Sequence, residues 1–496
     1  MRGFSWIPAL AVVAFGGSLA APFYLDDFAL LQDPAVTSPG GWMDCLALTQ
    51  TRPLTWLSFW LNYQLGGSQP SGYHAVNLGL HLANILVAHQ ALSGVIPRAV
   101  AFLAATVFAL HPVQTEAVTY VFARASLIMT LLCLLALRAW LNQRPRLAAG
   151  WFALALMAKE ECVTFPVVLA LLDRSTGRKG TSKPLLAMLG LSLLFGARVL
   201  WLSTITPGSG AGAQSGVSPL SYFSVQGLAI LRYLRLLIWP QGFTIESPLS
   251  LQAAWWAWAP IALSIAIAAR RFQGAGAGFW WLAGLLILAP SSSVLPASDL
   301  SADRRLYFAL LAFAVVAGLG LKKHPAWLTP ALGVVLAALS FLESVTWRDP
   351  AALWRQALAR APHKVRPYIQ LARLSPPSQA LELISQAQAF APADPLLASE
   401  KGRIYFESGE VALALNEFGR ALALAPNDAR MINNRGVALA RLGQVAAARM
   451  DFERALQREP CFFDALWNLR KLGDTRSPDP RCRFTPSQRR SLDERP

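Results

Sequence analysis

Four short stretches of this chain hold ionisable residues where apolar runs begin or end. "FYLDDFALLQDP" places Asp26 and Asp27 directly after the first apolar run. "HPVQTEAVTYVFARASL" carries His111, Glu116 and Arg124, and "MAKEECV" carries Lys159, Glu160 and Glu161. "LSADRRLYF" adds Asp303, Arg304, Arg305 and Tyr307. A carboxylate of this kind can take a proton from an attacking hydroxyl. Arginine and lysine can hold a phosphate and stabilise charge that grows on it as it leaves. Neighbouring helical residues point about 100° apart, so at most one of Asp26 and Asp27 faces a given site. The other supports it, caps a helix or meets water, and the plain alternative is that both only end a helix.

The elements that position these residues are membrane segments. The chain has 496 residues, 54% apolar and 15% charged, with a mean hydropathy of +0.39. A soluble protein of this size carries about a quarter charged residues. The apolar runs lie in 1–345, whereas 346–496 reads as an ordinary polar helical region. A crossing needs about 20 mainly apolar residues, fewer if tilted or buried. Eleven candidate spans follow: 4–22, 75–96, 98–110, 119–141, 146–158, 161–173, 184–203, 252–270, 277–291, 304–321 and 325–342. The segment 222–240 holds Arg232 and Arg235 and ends in "WPQGF", which suits an interfacial or re-entrant helix. The first run is read as a retained span, although "GGSLAAPF" resembles a cleavage site.

The formal charge of +16 lies largely in short loops, at Arg144, Arg146, Arg174, Arg178, Lys179, Lys183, Arg270, Arg271, Lys322 and Lys323. Such loops orient a membrane protein, so nucleic acid is not an expected partner. With the N-terminus inside, these loops fall inside, and the four ionisable clusters fall together on the outer face. With eleven spans, the C-terminal region also ends outside. Trp42, Trp56 and Trp60 fit an aromatic belt or an amphipathic loop helix.

Residues 346–473 read as a repeat array. Pro392, Pro426 and Pro460 are 34 residues apart, as are Ala387, Ala421 and Ala455. Gly402 and Gly436, and Gly409 and Gly443, share the period, which is that of the tetratricopeptide repeat. Trp354, Ala357 and Pro362 mark an earlier, degraded copy. Gly409 and Gly443 are expected to end the first helix of each pair. Such arrays bind extended peptides or protein surfaces in a concave groove, or serve a purely structural or dimerising role. The tail 474–496 is expected to be disordered. The five cysteines lack metal-ligand spacing. Cys461 and Cys482 could pair in an oxidising compartment, but unpaired thiols are the expectation.

The residue types gathered on the outer face are those needed to move a sugar from a lipid phosphate to a hydroxyl. The order of motifs strengthens this. "DD", "RPLTWLSFWLNYQLGG", "YHAVNLGLHLANILV", "HPVQTEAVTYVFARASL", "AKEE", "YLRLLIWPQGF", "DRRLYFAL" and then tetratricopeptide repeats resemble the transmembrane-and-tetratricopeptide-repeat O-mannosyltransferase-like family, through a bacterial relative, over about 20–470. The resemblance implies an all-α fold, a polytopic helical bundle of the glycosyltransferase C-type with about eleven spans, followed by an α-solenoid. It implies an inverting transfer from a polyprenyl-phosphate sugar, with the first acidic residue of the outer loop, Asp26 rather than Asp27, as base. Its His-Pro and Thr-Glu positions fall on His111, Pro112, Thr115 and Glu116, and its Lys-Glu on Lys159 and Glu160. Arg124, Lys159, Arg304 and Arg305 become candidates for donor phosphate or charge stabilisation, with His111, Glu116 and Glu160 supporting or on the acceptor side. Relatives often continue "RAD" where this chain reads "RAS", so Ser126 stands in place of an acid.

Alternatives remain at this stage. His111 could orient a neighbour, Glu116 could pair with Arg124, and Arg304 and Arg305 could anchor at headgroup level. Arg232 and Arg235 fit interfacial anchoring better than phosphate contact. The expected partners are a lipid-linked sugar donor and a polypeptide acceptor at the repeats. No protein metal cage is visible, though a donor phosphate and one carboxylate could share a divalent ion. A glycan or lipid acceptor, or a non-catalytic scaffold, are the competing readings. Composition favours a bacterial inner membrane with periplasmic repeats, a topology that would equally suit an endoplasmic-reticulum lumen.

Overall fold

The computed structural model describes residues 5–178, 182–205, 212–323 and 325–493. Lys179 and part of the uncharged loop 204–221 lie outside them. The described residues are all-α, in two compact units. One comprises Met1–Leu31 and Pro39–Asp349, the other Gln32–Ser38 and Pro350–Pro496.

The first unit is a helical bundle around one apolar core. Helices Trp6–Phe15, Pro70–Leu92, Arg98–Leu110, Arg124–Leu141, Pro145–Ala158 and Leu306–Gly320 supply most of it. Proline opens two of them, Pro70–Leu92 and Pro145–Ala158, as it does helix Pro53–Gly66, where its missing N–H costs nothing. Small residues allow close approach: a Cβ on Gly284 would meet the Phe313 ring at 2.7 Å, and one on Gly333 would meet Trp6 at 2.8 Å. Hydroxyls join the helices, Ser340 to the Leu110 carbonyl at 2.7 Å and Ser344 to the Ala14 carbonyl at 2.8 Å.

Among the described residues, four helices are long and apolar enough to cross a membrane: Pro70–Leu92, Val121–Leu141, Ser182–Thr204 and Leu328–Thr346. A fifth results if Arg98–Leu110 and Pro112–Thr119, bent by 49° at His111-Pro112, count as one. The other proposed spans form shorter helices; Leu306–Gly320, for example, has 15 residues and is mostly buried in protein. Helix Ser182–Ile205, in contrast, leaves Leu186, Leu193, Leu194 and Trp201 exposed. Apolar side chains in such a row are suited to lipid, and the chain is a membrane protein. Most of segment 222–240 lies in a 20-residue helix, Pro219–Ile238, in which Arg232 pairs with Asp303 inside the unit while Arg235 and Ile238 are exposed.

The second unit stacks helix pairs. Its inner helices are Val365–Arg373, Pro395–Glu407, Ala429–Arg441 and Phe463–Lys471. Gly402 and Gly436 lie under Phe418 and Phe452, where an added Cβ would come within 2.7 Å. Gly409 and Gly443 follow their helices at φ +84° and +76°, a conformation that glycine adopts without steric cost. The tail corrects the expectation of disorder. A Cys461–Cys482 disulfide, with Cα atoms 5.1 Å apart, ties it back. Helix Pro486–Asp493 follows, and Phe484 and Leu492 pack on Phe463, Leu466 and Trp467. Unpaired thiols are the expectation at these two cysteines; the other three, Cys45, Cys133 and Cys162, are buried and form no disulfide.

Candidate active site

The acidic pair divides its work. Leu25, just before it, has φ +46°, a left-handed conformation unfavourable for a bulky residue and therefore held by its surroundings. Asp27 is fully buried. Its carboxylate accepts the Tyr24 N–H at 3.0 Å and the Phe122 N–H at 2.9 Å. Burial pushes its pKa up to about 7, against the pull of these two N–H groups. Asp27 thus tethers the loop after the first apolar helix to the 120–122 turn. Asp26 points the other way, exposed, and its carboxylate accepts the Tyr120 hydroxyl at 2.8 Å. The Asp26 N–H donates to the same hydroxyl oxygen at 3.2 Å, so both atoms hold one side chain in place.

Asp26 lines a cleft of about 270 Å³ with Arg52, Lys159, Glu160, Glu161, Arg304 and Arg305. Val199 and Leu200 of helix Ser182–Ile205, and Leu295, give the cleft an apolar wall. Most of its cations are matched. Arg52 grips Glu160 with two donors, Nε at 2.9 Å and Nη2 at 2.5 Å. Burial would raise the Glu160 pKa, but Arg52 outweighs it and holds it at about 2. Lys159 meets Glu161 at 2.8 Å and donates to Ser126 at 2.9 Å. Burial draws the Lys159 ammonium below its usual range, with Glu161 opposing. Arg304 donates to Glu116 at 2.5 Å and to Asp299 at 3.3 Å, and lies over the Tyr120 ring. Arg305 differs: its guanidinium is held by neutral oxygens, the Asp299 carbonyl at 2.7 Å and the Ser291 carbonyl and Tyr222 hydroxyl at 3.1 Å each.

Five of the sequence-derived candidates, Asp26, Lys159, Glu160, Arg304 and Arg305, therefore meet at one cleft, and Glu116 stands behind it as the partner of Arg304 rather than of Arg124. The other three also do not line it. Asp27 is the tether just described. Arg124 is fully buried and donates to Asn77 and Asn62, both at 2.8 Å, and to the carbonyls of Tyr73 and Ser58, with Phe59 under its plane. It joins three helices. His111 accepts the Val113 N–H on Nδ1 at 3.2 Å and turns Nε2 to the Leu237 carbonyl, so it shapes the 49° bend. Sequence reasoning passed over Arg52, Tyr120 and Asp299. Arg52 stood in a quoted stretch, just before a helix-opening proline, but nothing in its surroundings points to Glu160. Among the described residues, no three His, Cys, Asp or Glu side chains form a metal cage.

Residues 402–443 match the TPR repeat family. Over 209 residues, 37% of this chain, the sequence is 32% identical to the protein O-mannosyl-transferase Tmtc1 of Drosophila melanogaster. Its curated relatives are protein O-mannosyl-transferases. Tmtc2 of the same fly is 33% identical over 201 residues, 35% of this chain, and F38B6.6 of Caenorhabditis elegans is 42% identical over 91 residues, 17% of it. These matches cover 24%, 21% and 13% of the relatives' own lengths, so the chain spans about a quarter of them or less. Among solved structures, ArnT from Cupriavidus metallidurans bound to undecaprenyl phosphate aligns over 86% of this chain and 80% of its own, at 16% identity and a TM-score of 0.42. A score that low carries no argument about the site.

Proposed function

We propose that this protein is an inverting glycosyltransferase that moves one sugar from a polyprenyl-phosphate donor to a protein hydroxyl, with its repeats holding the acceptor. The observation that carries the reading is the convergence on one cleft of Asp26 and a cation, Arg305, whose hydrogen-bond partners among the described residues are neutral oxygens. The acceptor oxygen bonds to the anomeric carbon on the face opposite the phosphate. The bond from that carbon to the phosphate oxygen breaks, and its electron pair leaves with the phosphate. The acceptor's proton passes to Asp26, which Tyr120 holds in place. Arg305 receives the charge that grows on the phosphate, while Arg52 and Arg304 are already matched by carboxylates. The wall of Val199 and Leu200 is suited to the first isoprene units.

The relatives' names supply the class, O-linked transfer of mannose to protein, and polyprenyl-phosphate mannose is the donor to test first. The side of the membrane is the outer one. Oxidising compartments maintain disulfides, which accords with the Cys461–Cys482 bond in the repeat unit. The test uses membranes containing the full chain, radiolabelled polyprenyl-phosphate mannose and a serine- and threonine-rich peptide. Wild type labels the peptide, and Arg305→Met lowers the rate by about 10²-fold. Labelling that is unchanged in Arg305→Met removes the phosphate-binding role, and no labelling above membranes lacking the chain contradicts the reading.

A further inference from the structure

The acidic pair is held by two tyrosines, one for each carboxylate. The Tyr120 hydroxyl donates to Asp26 at 2.8 Å, and the Tyr24 N–H donates to Asp27 at 3.0 Å. Both tyrosines are buried, and both meet a third aromatic side chain, Trp347. Its indole stands edge-on to the Tyr24 ring, with centroids 5.5 Å apart and planes at 90°. It is tilted by 32° to the Tyr120 ring, at 6.4 Å. Aromatic pairs at such separations attract one another in preferred orientations. The Trp347 carbonyl also accepts the Tyr24 hydroxyl at 2.6 Å.

Trp347 is itself fixed on both sides. It is buried and directly follows helix Leu328–Thr346, whose Ser344 hydroxyl reaches the Ala14 carbonyl. Arg348, next in the chain, donates to the Gly17 carbonyl at 3.0 Å. Gly17 leaves room for it, since a Cβ there would come within 2.6 Å of the guanidinium. Trp347 therefore joins the end of the Leu328–Thr346 helix to the loop that follows the first helix. That loop needs support: Leu25, between Tyr24 and Asp26, has φ +46°, and such a conformation persists only where its surroundings impose it. Arg305 lies outside this cluster. Its donors go to Tyr222 and to the carbonyls of Ser291, Asp299 and Leu300.

We propose that Trp347 is a positioning residue for the base: by holding Tyr24 and Tyr120 together, it fixes where the Asp26 carboxylate stands in the cleft. The inference rests on the reading of Asp26 as the base, and it names what sets the geometry of that group. Loss of the indole lowers turnover rather than donor binding, because the phosphate is held by Arg305. A reacting group misplaced by about 1 Å can cost about 10²-fold in rate.

The experiment compares the full-length wild type, Trp347→Leu and Trp347→Phe in detergent by two measurements. The first, hydrogen–deuterium exchange, needs no transfer. The amides of Tyr24, Asp26 and Phe122 donate to the Asp27 carboxylate and the Tyr120 hydroxyl. Trp347→Leu speeds their exchange by about tenfold and leaves helix Arg124–Leu141 unchanged, while Trp347→Phe, which keeps a ring, stays near wild type. The second is the kinetics of transfer from polyprenyl-phosphate mannose. Trp347→Leu lowers kcat by about tenfold with donor KM changed by no more than about twofold, and Trp347→Phe recovers most of the loss. In a Tyr120→Phe background, where Asp26 has already lost its hydroxyl partner, Trp347→Leu costs no more than about a further twofold. Exchange that is unchanged beside Asp26, or that rises throughout the bundle alike, overturns the inference. So does a tenfold loss of kcat that persists in full in the Tyr120→Phe background. Exchange that rises only at these amides, with no transfer even by wild type, upholds the anchoring by Trp347 and removes the catalytic reading alone.

Discussion

The contrast between Asp26 and Asp27 yields a prediction that separates a tether from a base. Asp27 is fully buried, and its pKa stands near 7 because burial disfavours its charged form. An unfolded aspartate titrates near 3.9. A carboxyl whose folded pKa is raised contributes stability that is fully present below the unfolded pKa and is lost as pH rises through the folded one. The window runs from about pH 4 to about pH 7, and a shift of about three units corresponds to about 4 kcal/mol. Asp27→Asn removes this titration. It also turns an amide N–H₂ toward either the Tyr24 or the Phe122 N–H, leaving that donor unmatched at a cost of about 1–3 kcal/mol. The assay is thermal unfolding of the detergent-solubilised chain, followed by tryptophan fluorescence from pH 5 to 8. Wild-type Tm is expected to fall with rising pH relative to the variant, whose own curve lies lower at pH 5 and changes less. Folded Asp27→Asn should still transfer sugar at low temperature. Identical pH slopes in the two proteins, or a variant of unchanged Tm that has lost transfer, would refute the division of roles.

Three further outcomes are expected. Arg124→Met leaves the carboxamide oxygens of Asn62 and Asn77 without their donor and is expected to destabilise the bundle by about 2–5 kcal/mol, read as loss of folded yield before any change in turnover per folded molecule. Glu160→Gln frees Arg52 beside the cleft; the extra charge should tighten binding of free polyprenyl phosphate by a few-fold in competition assays, and weaker binding would show that the pair is needed intact. Cys461→Ser opens a 21-residue separation in the chain and is expected to release the 482–493 tail to proteolysis, whereas a tail that stays resistant would mean that the packing of Phe484 and Leu492 suffices.

The repeat unit is legible in the sequence because two of its copies solve the same contact in the same way. A glycine lies under an aromatic ring in both, Gly402 under Phe418 and Gly436 under Phe452, so the period survives as identity. The site is legible only in part. Its charges stand out because ionisable residues beside apolar runs are costly, but their pairing is set by contacts far apart in the chain. Arg52 and Glu160 are 108 residues apart, and Glu116 and Arg304 are 188 apart. Arg124 resembles a phosphate ligand in sequence, yet it is surrounded by carboxamides and carbonyls that no local pattern reveals. The tail reads as disordered because its composition is polar, and the residues that order it, Cys482, Phe484 and Leu492, are too few to form a periodic pattern. Helix count is hidden for a related reason: once packed inside protein, a helix such as Leu306–Gly320 need not be long or amphipathic.

Asp26 is the centre of the account, and one measurement addresses it most directly. Cells producing equal amounts of the wild-type chain, Asp26→Asn or Asp27→Asn are compared, by intact-mass spectrometry of their exported proteins, with cells lacking the chain. The account predicts a hexose-sized mass on a small set of proteins with wild type, its retention in reduced amount with Asp27→Asn, and its absence with Asp26→Asn, whose Tm matches wild type. A hexose-sized mass that persists undiminished with Asp26→Asn would contradict the assignment of Asp26 as the base, and masses identical in all four strains would contradict protein glycosylation itself.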